Sequence, residues 1–152
     1  MNKIIVNPES NPELAKYLDG VLSDFESSYD CTRDNCGRIN RELRTLLVQE
    51  GEIPEQVQGL YKVDTWRGWL DEGDFTDEEL DLITKRYGGN NRYSLEEYVE
   101  SLPEREQEKY LYIPHVFLIL DDLILDAASD MFNCKNSPDR YYDWDENPII
   151  ID

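Results

Sequence analysis

Apolar residues recur along the first part of the chain at helical spacing. Leu14, Tyr17, Leu18, Val21, Leu22 and Phe25 share one stripe behind Asn11-Pro12-Glu13, which predicts a helix with Asn11 as N-cap and Pro12 in its first turn. Ser27 to Asn35 is polar and reads as a loop. Cys36, Ile39, Leu43, Leu46 and Leu47 form a second stripe, and Gly51 is placed to end that helix. Gln56 to Val63 predicts a strand, and Trp66 to Phe75 an irregular, aromatic-rich connection. Thr76-Asp77-Glu78-Glu79 is a capping box that opens a short helix through Leu80, Leu82 and Ile83, stopping at Gly88-Gly89. Ser94-Leu95-Glu96-Glu97 reads as a second capping box, with its helix ending near Pro103.

The second pattern is that of strands. Val116 to Leu120 and Leu123 to Asp126 flank Asp121-Asp122, a spacing that predicts a tight hairpin. Ile149 to Ile151 predicts a last strand in the tail. Helices precede strands, so the expected class is α+β, a single domain over 1–152 with N-terminal helices packed on a small antiparallel sheet.

Composition narrows the function classes. Lys and Arg number 15 against 34 Asp and Glu, a net charge of −19 that repels nucleic-acid backbone and anionic membrane. An aromatic content of 11% argues against a disordered chain. The first ten residues lack the basic start and long apolar stretch of a secretion signal, and Val116 to Leu120 is too short to cross a bilayer. Three cysteines do not make a disulfide framework. The expectation is a soluble, cytoplasmic protein with reduced thiols.

Candidate chemistry centres on the one histidine, His115. With a two-residue turn at Asp121-Asp122, Leu120 opposes Leu123, Phe117 opposes Asp126, and His115 lies diagonally across from Asp126 on the same face. Diagonal neighbours are about 7–8 Å apart at the backbone, within reach of an imidazole and a carboxylate. The carboxylate would then fix the imidazole tautomer and stabilise the imidazolium. Cys36 opens its predicted helix, where backbone N–H groups and the helix dipole favour a thiolate and can receive an oxyanion.

Asn35-Cys36 at the head of an amphipathic helix, followed by the His115-to-Asp126 strand-turn-strand segment, resembles the motifs of papain-like fold toxins and effectors. Wider relatives are the transglutaminase-like and arylamine-acetyltransferase-like thiol enzymes, which share the Cys, His, Asp order. The resemblance implies a papain-like or transglutaminase-like fold with a catalytic triad: Cys36 as nucleophile, His115 as base, Asp126 as its orienter. Asn35 is the candidate oxyanion donor. It implies a cysteine protease, glutamine deamidase or acyltransferase that uses no cofactor and acts on a protein substrate. The acidic charge suggests that this substrate presents a basic surface. The chain departs from many relatives at Asp121-Asp122, where they carry Asp-Gly, and at Asp126-Ala127-Ala128, where they carry Asp-Pro-Thr. Met131 stands where a polar residue often follows.

Plainer readings compete with this one. Cys36 lies on an apolar stripe and, taken alone, reads more readily as an inert core thiol; its combination with His115 and Asp126 is what favours catalysis. Cys31, Cys36, His115 and Cys134 could supply a zinc site, but lack the second close cysteine pair of a zinc ribbon. The acidic run from Asp71 to Asp81 does not match a calcium-binding loop and reads as a solvated helix start. Asp139 to Glu146 fits a packed tail or a surface for a basic partner, and Trp66 and Trp69 fit a core or a lid. The alternative function is a non-catalytic acidic binder, such as an inhibitor, immunity factor or nucleic-acid mimic, docking on a basic partner.

Overall fold

The structure, a computed structural model, describes residues 3–28, 36–66, 70–89, 91–128 and 140–150, with side chains at 25–28 excepted. Among the described residues, five α-helices and five strands follow in the order β1 (Ile4–Ile5), α1 (Pro12–Ser28), α2 (Cys36–Gln49), β2 (Glu55–Lys62), α3 (Asp77–Tyr87), α4 (Arg92–Ser101), α5 (Glu104–Gln107), β3 (Tyr112–Leu120), β4 (Leu123–Leu125) and β5 (Tyr141–Tyr142). The strands form one sheet in the order β1-β4-β3-β2-β5. The chain divides into two compact units, Met1–Lys62 with Pro114–Asp152, and Val63–Ile113.

In the first unit, α1 starts where expected: Ala15 N–H donates to the Asn11 carbonyl. The end of α2 is a Schellman motif. Gly51 adopts φ 89°, its N–H donates to the Val48 carbonyl, and Glu52 N–H donates to the Leu47 carbonyl. The predicted hairpin register holds, pairing Leu118 with Leu125, Ile119 with Ile124 and Leu120 with Leu123. Its Asp-Asp turn works because Asp121 takes a left-handed φ of 54°, which a short polar side chain tolerates better than most. Lys3 and Ile4 grip that turn: Lys3 Nζ donates to the Asp121 carbonyl and Ile4 N–H to the Asp122 carbonyl. Leu118, Leu125, Ala127 and Ala128 pack with Ala15 and Val21 of α1 and with Ile39, Leu43 and Leu47 of α2.

Several expectations need correction. The sheet is not wholly antiparallel, because β1 pairs in parallel with β4, Ile4 to Leu123 and Ile5 to Ile124. β1 lies at the edge of the sheet, with Ile4 and Ile5 half-buried and Val6 buried. Leu46 leaves the apolar stripe of α2 for the surface, and the amide of Asn40 is buried in the stripe instead. Among the described residues the tail makes an isolated bridge, Pro148 to Tyr142, with Ile149 N–H donating to the Tyr141 carbonyl, and the fifth strand is Tyr141–Tyr142; Ile151 lies outside the described residues. Both tyrosines are buried there, whereas Trp144 is exposed.

The second unit is inserted in the chain between β2 and most of β3. Its core gathers Trp66, Leu70, Phe75, Ile83, Leu95, Tyr98, Val99 and Tyr110. The acidic run is capping chemistry: Asp71 caps a 3-10 turn over Glu72–Asp74, and Thr76 and Glu79 form the predicted box on α3. The second box is displaced, for α4 begins at Arg92 with Asn91 as N-cap, and Ser94 is its buried third residue. Glu79 also accepts from the hydroxyls of Tyr98 and Tyr110, tying α3 to the rest of this unit. Trp66 is a core residue here; Trp69 lies outside the described residues.

One packing constraint is testable. A Cβ on Gly59 of β2 would overlap the Tyr142 carbonyl oxygen and come within 3.1 Å of the Phe117 ring. Gly59→Ala should therefore destabilise the protein by about 1–3 kcal/mol, as overpacking does. Urea unfolding followed by circular dichroism reads this, and an unchanged midpoint would show that β5 gives way freely.

Candidate functional site

The hairpin brings the predicted histidine and aspartate into contact. His115 Nε2 lies 2.6 Å from Asp126 Oδ2, and both residues are buried. The diagonal register explains it: with Leu118 opposite Leu125, the next pair outward is Phe117 and Asp126, and His115 stands two residues beyond Phe117 on the same face. His115 is fixed in orientation by aromatic neighbours. Its ring meets the edge of Tyr61 on β2 at 5.6 Å between centroids and stacks near Phe117 at 6.3 Å.

Asp126 accepts hydrogen bonds on both oxygens. Tyr141 Oη donates to Oδ2 at 2.9 Å, Asn40 Nδ2 to Oδ1 at 3.1 Å, and Ala128 N–H to Oδ1 at 3.0 Å. Burial alone would push this carboxyl up, yet the charge and hydrogen bond of His115, with Asn40 and Tyr141, hold it below its ordinary value. Burial also pushes His115 down, but the charge and hydrogen bond of Asp126, joined by Cys36, raise it to about 9. At neutral pH the site therefore holds an imidazolium against a carboxylate.

Cys36, a free and partly buried thiol, stands in the first turn of α2 and is hydrogen-bonded to His115. Burial pushes the thiol up. The hydrogen bond and positive charge of His115, together with the Val116 backbone N–H, outweigh this and bring it below its ordinary value. A thiol lowered in this way is more readily ionised than an ordinary cysteine, and a thiolate can attack a carbonyl carbon.

The structure thus brings together Cys36, His115 and Asp126. Asn35, Cys31 and Cys134 lie outside the described residues, so the oxyanion candidate and half of the zinc alternative do too. Among the described residues, no cluster of three or more His, Cys, Asp or Glu has the arrangement to hold a metal ion. Sequence reasoning missed Asn40, Tyr141 and the Val116 backbone. The only signal for Asn40 was an amide four residues after Cys36, on a face otherwise apolar. A cavity of about 170 Å³ reaches Asp126 and Tyr141 from the side of Val6, Ala15 and Leu18; neither Cys36 nor His115 lines it, so it is not where a bond would be attacked.

Because His115 is the chain's one histidine, its titration is directly readable by NMR. The wild-type ring should titrate near 9, and Asp126→Asn should bring it well below that, since burial is then opposed only by Cys36. The sign for stability follows. The stabilisation from a raised histidine is full below 6.5 and is lost as pH rises towards 9. That from a lowered aspartate is full above 3.8 and is lost as pH falls through its folded value. The stability gap between wild type and Asp126→Asn should be widest between those two ordinary values and narrow as pH rises through 9; a gap that does not vary with pH would contradict the ion pair.

No protein-family model, curated protein or solved structure matches this chain significantly, and no helix of the described residues is long and apolar enough to cross a membrane.

Proposed function

We propose that this chain is a papain-like, cysteine-dependent hydrolase or acyltransferase acting on an amide or isopeptide bond of a protein substrate. The observation that carries the reading is the buried His115–Asp126 pair, its carboxylate fully engaged, set against a thiol in the first turn of a helix. A thiol whose proton has passed to a neighbouring imidazole is reactive at neutral pH without a cofactor.

In this mechanism the Cys36 thiolate attacks the carbonyl carbon, and the electron pair of the C=O bond moves onto oxygen. The N-terminus of α2 faces the developing oxyanion. His115 returns its proton to the departing amine as the carbonyl re-forms, leaving a thioester on Cys36. Water or an amine then attacks the thioester, His115 takes its proton, and the thiol leaves as Cys36 is regenerated. Water on a peptide bond gives proteolysis, water on a glutamine side chain gives deamidation with release of ammonia, and an amine gives acyl transfer. Asp126 holds the imidazolium throughout and does not exchange protons. The net charge of −19 favours a substrate with a basic surface and a reducing compartment such as the cytoplasm suits a reactive thiol. The same charge is what favours the second reading, an acidic binding protein that docks on a basic partner and needs no thiol.

Site-resolved alkylation separates the two. Iodoacetamide should modify Cys36 rapidly at about pH 6, and His115→Ala should slow that reaction about 100-fold or more, the range expected when a base is removed. If Cys36 reacts as an ordinary thiol in both proteins, the enzyme reading falls and the acidic binder remains.

A further inference from the structure

We propose that Asn40 is a positioning residue that locks the helix carrying Cys36 onto the hairpin carrying His115 and Asp126, and thereby sets the contact between thiol and imidazole. This rests on the thiol-enzyme reading and adds to it a residue outside the expected triad.

Asn40 is fully buried on a stripe whose other buried members are Ile39, Leu43 and Leu47. A leucine there would fill similar space without the cost of burying an amide. The amide instead makes three hydrogen bonds, all to the hairpin. Nδ2 donates to the Val116 carbonyl at 2.7 Å and to Asp126 Oδ1 at 3.1 Å, while Oδ1 accepts from Ala127 N–H at 2.9 Å. These partners span β3 and the end of β4, so one side chain grips both strands. The amide cannot be turned over, because Oδ1 would then face a carbonyl and a carboxylate.

Asn40 is one helical turn from Cys36, so the two side chains share a face about 5–6 Å apart. Val116 links them directly. Its N–H serves the Cys36 sulfur and its carbonyl receives Asn40, so two points on α2 fix the residue next to His115. The charged and titratable groups around Asn40 are Cys36 on its own helix, His115 from β3, Asp126 after β4 and Tyr141 from β5. Asn40 joins Ala128 N–H on Oδ1, leaving Oδ2 to His115 and Tyr141. It therefore sets both the plane of the carboxylate and the distance of the nucleophile.

The test is the pH profile of Cys36 alkylation in Asn40→Leu and Asn40→Ser, with melting temperature and near-UV circular dichroism as fold controls. In wild type the rate should rise with an inflection below 9; in the variants the inflection should move up towards 9, with about tenfold slower alkylation at acidic pH for each unit moved. Well above pH 9 variant and wild-type rates should agree within about twofold, since the thiolate is then fully formed in all of them. A folded variant that keeps the wild-type profile, even with a lowered melting temperature, overturns the proposal and leaves Asn40 a structural residue. If neither variant folds, the Asn40 side-chain amide protons of wild type decide: slow exchange with solvent supports the clamp, and rapid exchange overturns it. A wild-type thiol that titrates at 9 would sink the enzyme reading itself, a result distinct from an unshifted variant profile.

Discussion

The constraint on which the first unit depends is the burial of one carboxylate. An unpaired charge inside a protein is costly, and a charge that stays must be paired and hydrogen-bonded. Asp126 satisfies that demand by drawing donors from four places: β3 through His115, α2 through Asn40, β5 through Tyr141, and its own following turn through Ala128. Without it, α2 would pack on the hairpin through the apolar contacts of Ile39, Leu43 and Leu47, which are adaptable in register. The carboxylate makes the arrangement directional, because a slip of one residue in the hairpin would point it away from all of them.

The same demand shapes the chemistry of the thiol. Asp126 raises the imidazole, and the raised imidazole lowers the thiol. The effect is transmitted through one ring, on which Asp126 and Cys36 both act. Burial works against every charged member of this chain, so the charged state survives only through contacts of hydrogen-bonding length. The aromatic wall of Tyr61, Phe117 and Tyr141 supports this by packing the rings edge to face, with Tyr141 4.9 Å from Phe117 and 5.1 Å from Tyr61 between centroids.

Much of this geometry was legible in the sequence, and the reasons are local. The hairpin register follows from alternation and a two-residue turn, and it alone places His115 beside Asp126. Cys36 and its helix follow from periodicity and the glycine that ends it. What could not be read depends on distant partners. Asn40 bonds to residues 76, 86 and 87 positions away, and in sequence it is only a polar interruption of an apolar stripe. Tyr141 looked like part of an acidic, aromatic tail until its hydroxyl met Asp126. The parallel pairing of β1 escaped because two residues carry no period, and Leu46 was misplaced because periodicity cannot say how wide the buried stripe is. Asn91 took the cap from Ser94 because both are good capping residues and only the path of the chain decides between them.

Stability alone does not account for the arrangement. Buried ion pairs are commonly matched or bettered in stability by apolar side chains of similar volume, because desolvation offsets most of their attraction. A core needing only cohesion would carry leucine at position 40 and phenylalanine at position 141, with no charge between them. Here an amide, a phenol, a carboxylate and an imidazole are buried together beside a thiol that keeps some access to solvent. The group that benefits from their combined orientation is that thiol, whose proton they help to remove. The cost in desolvation is borne by the interior, and its effect appears where the interior meets the surface, at Cys36.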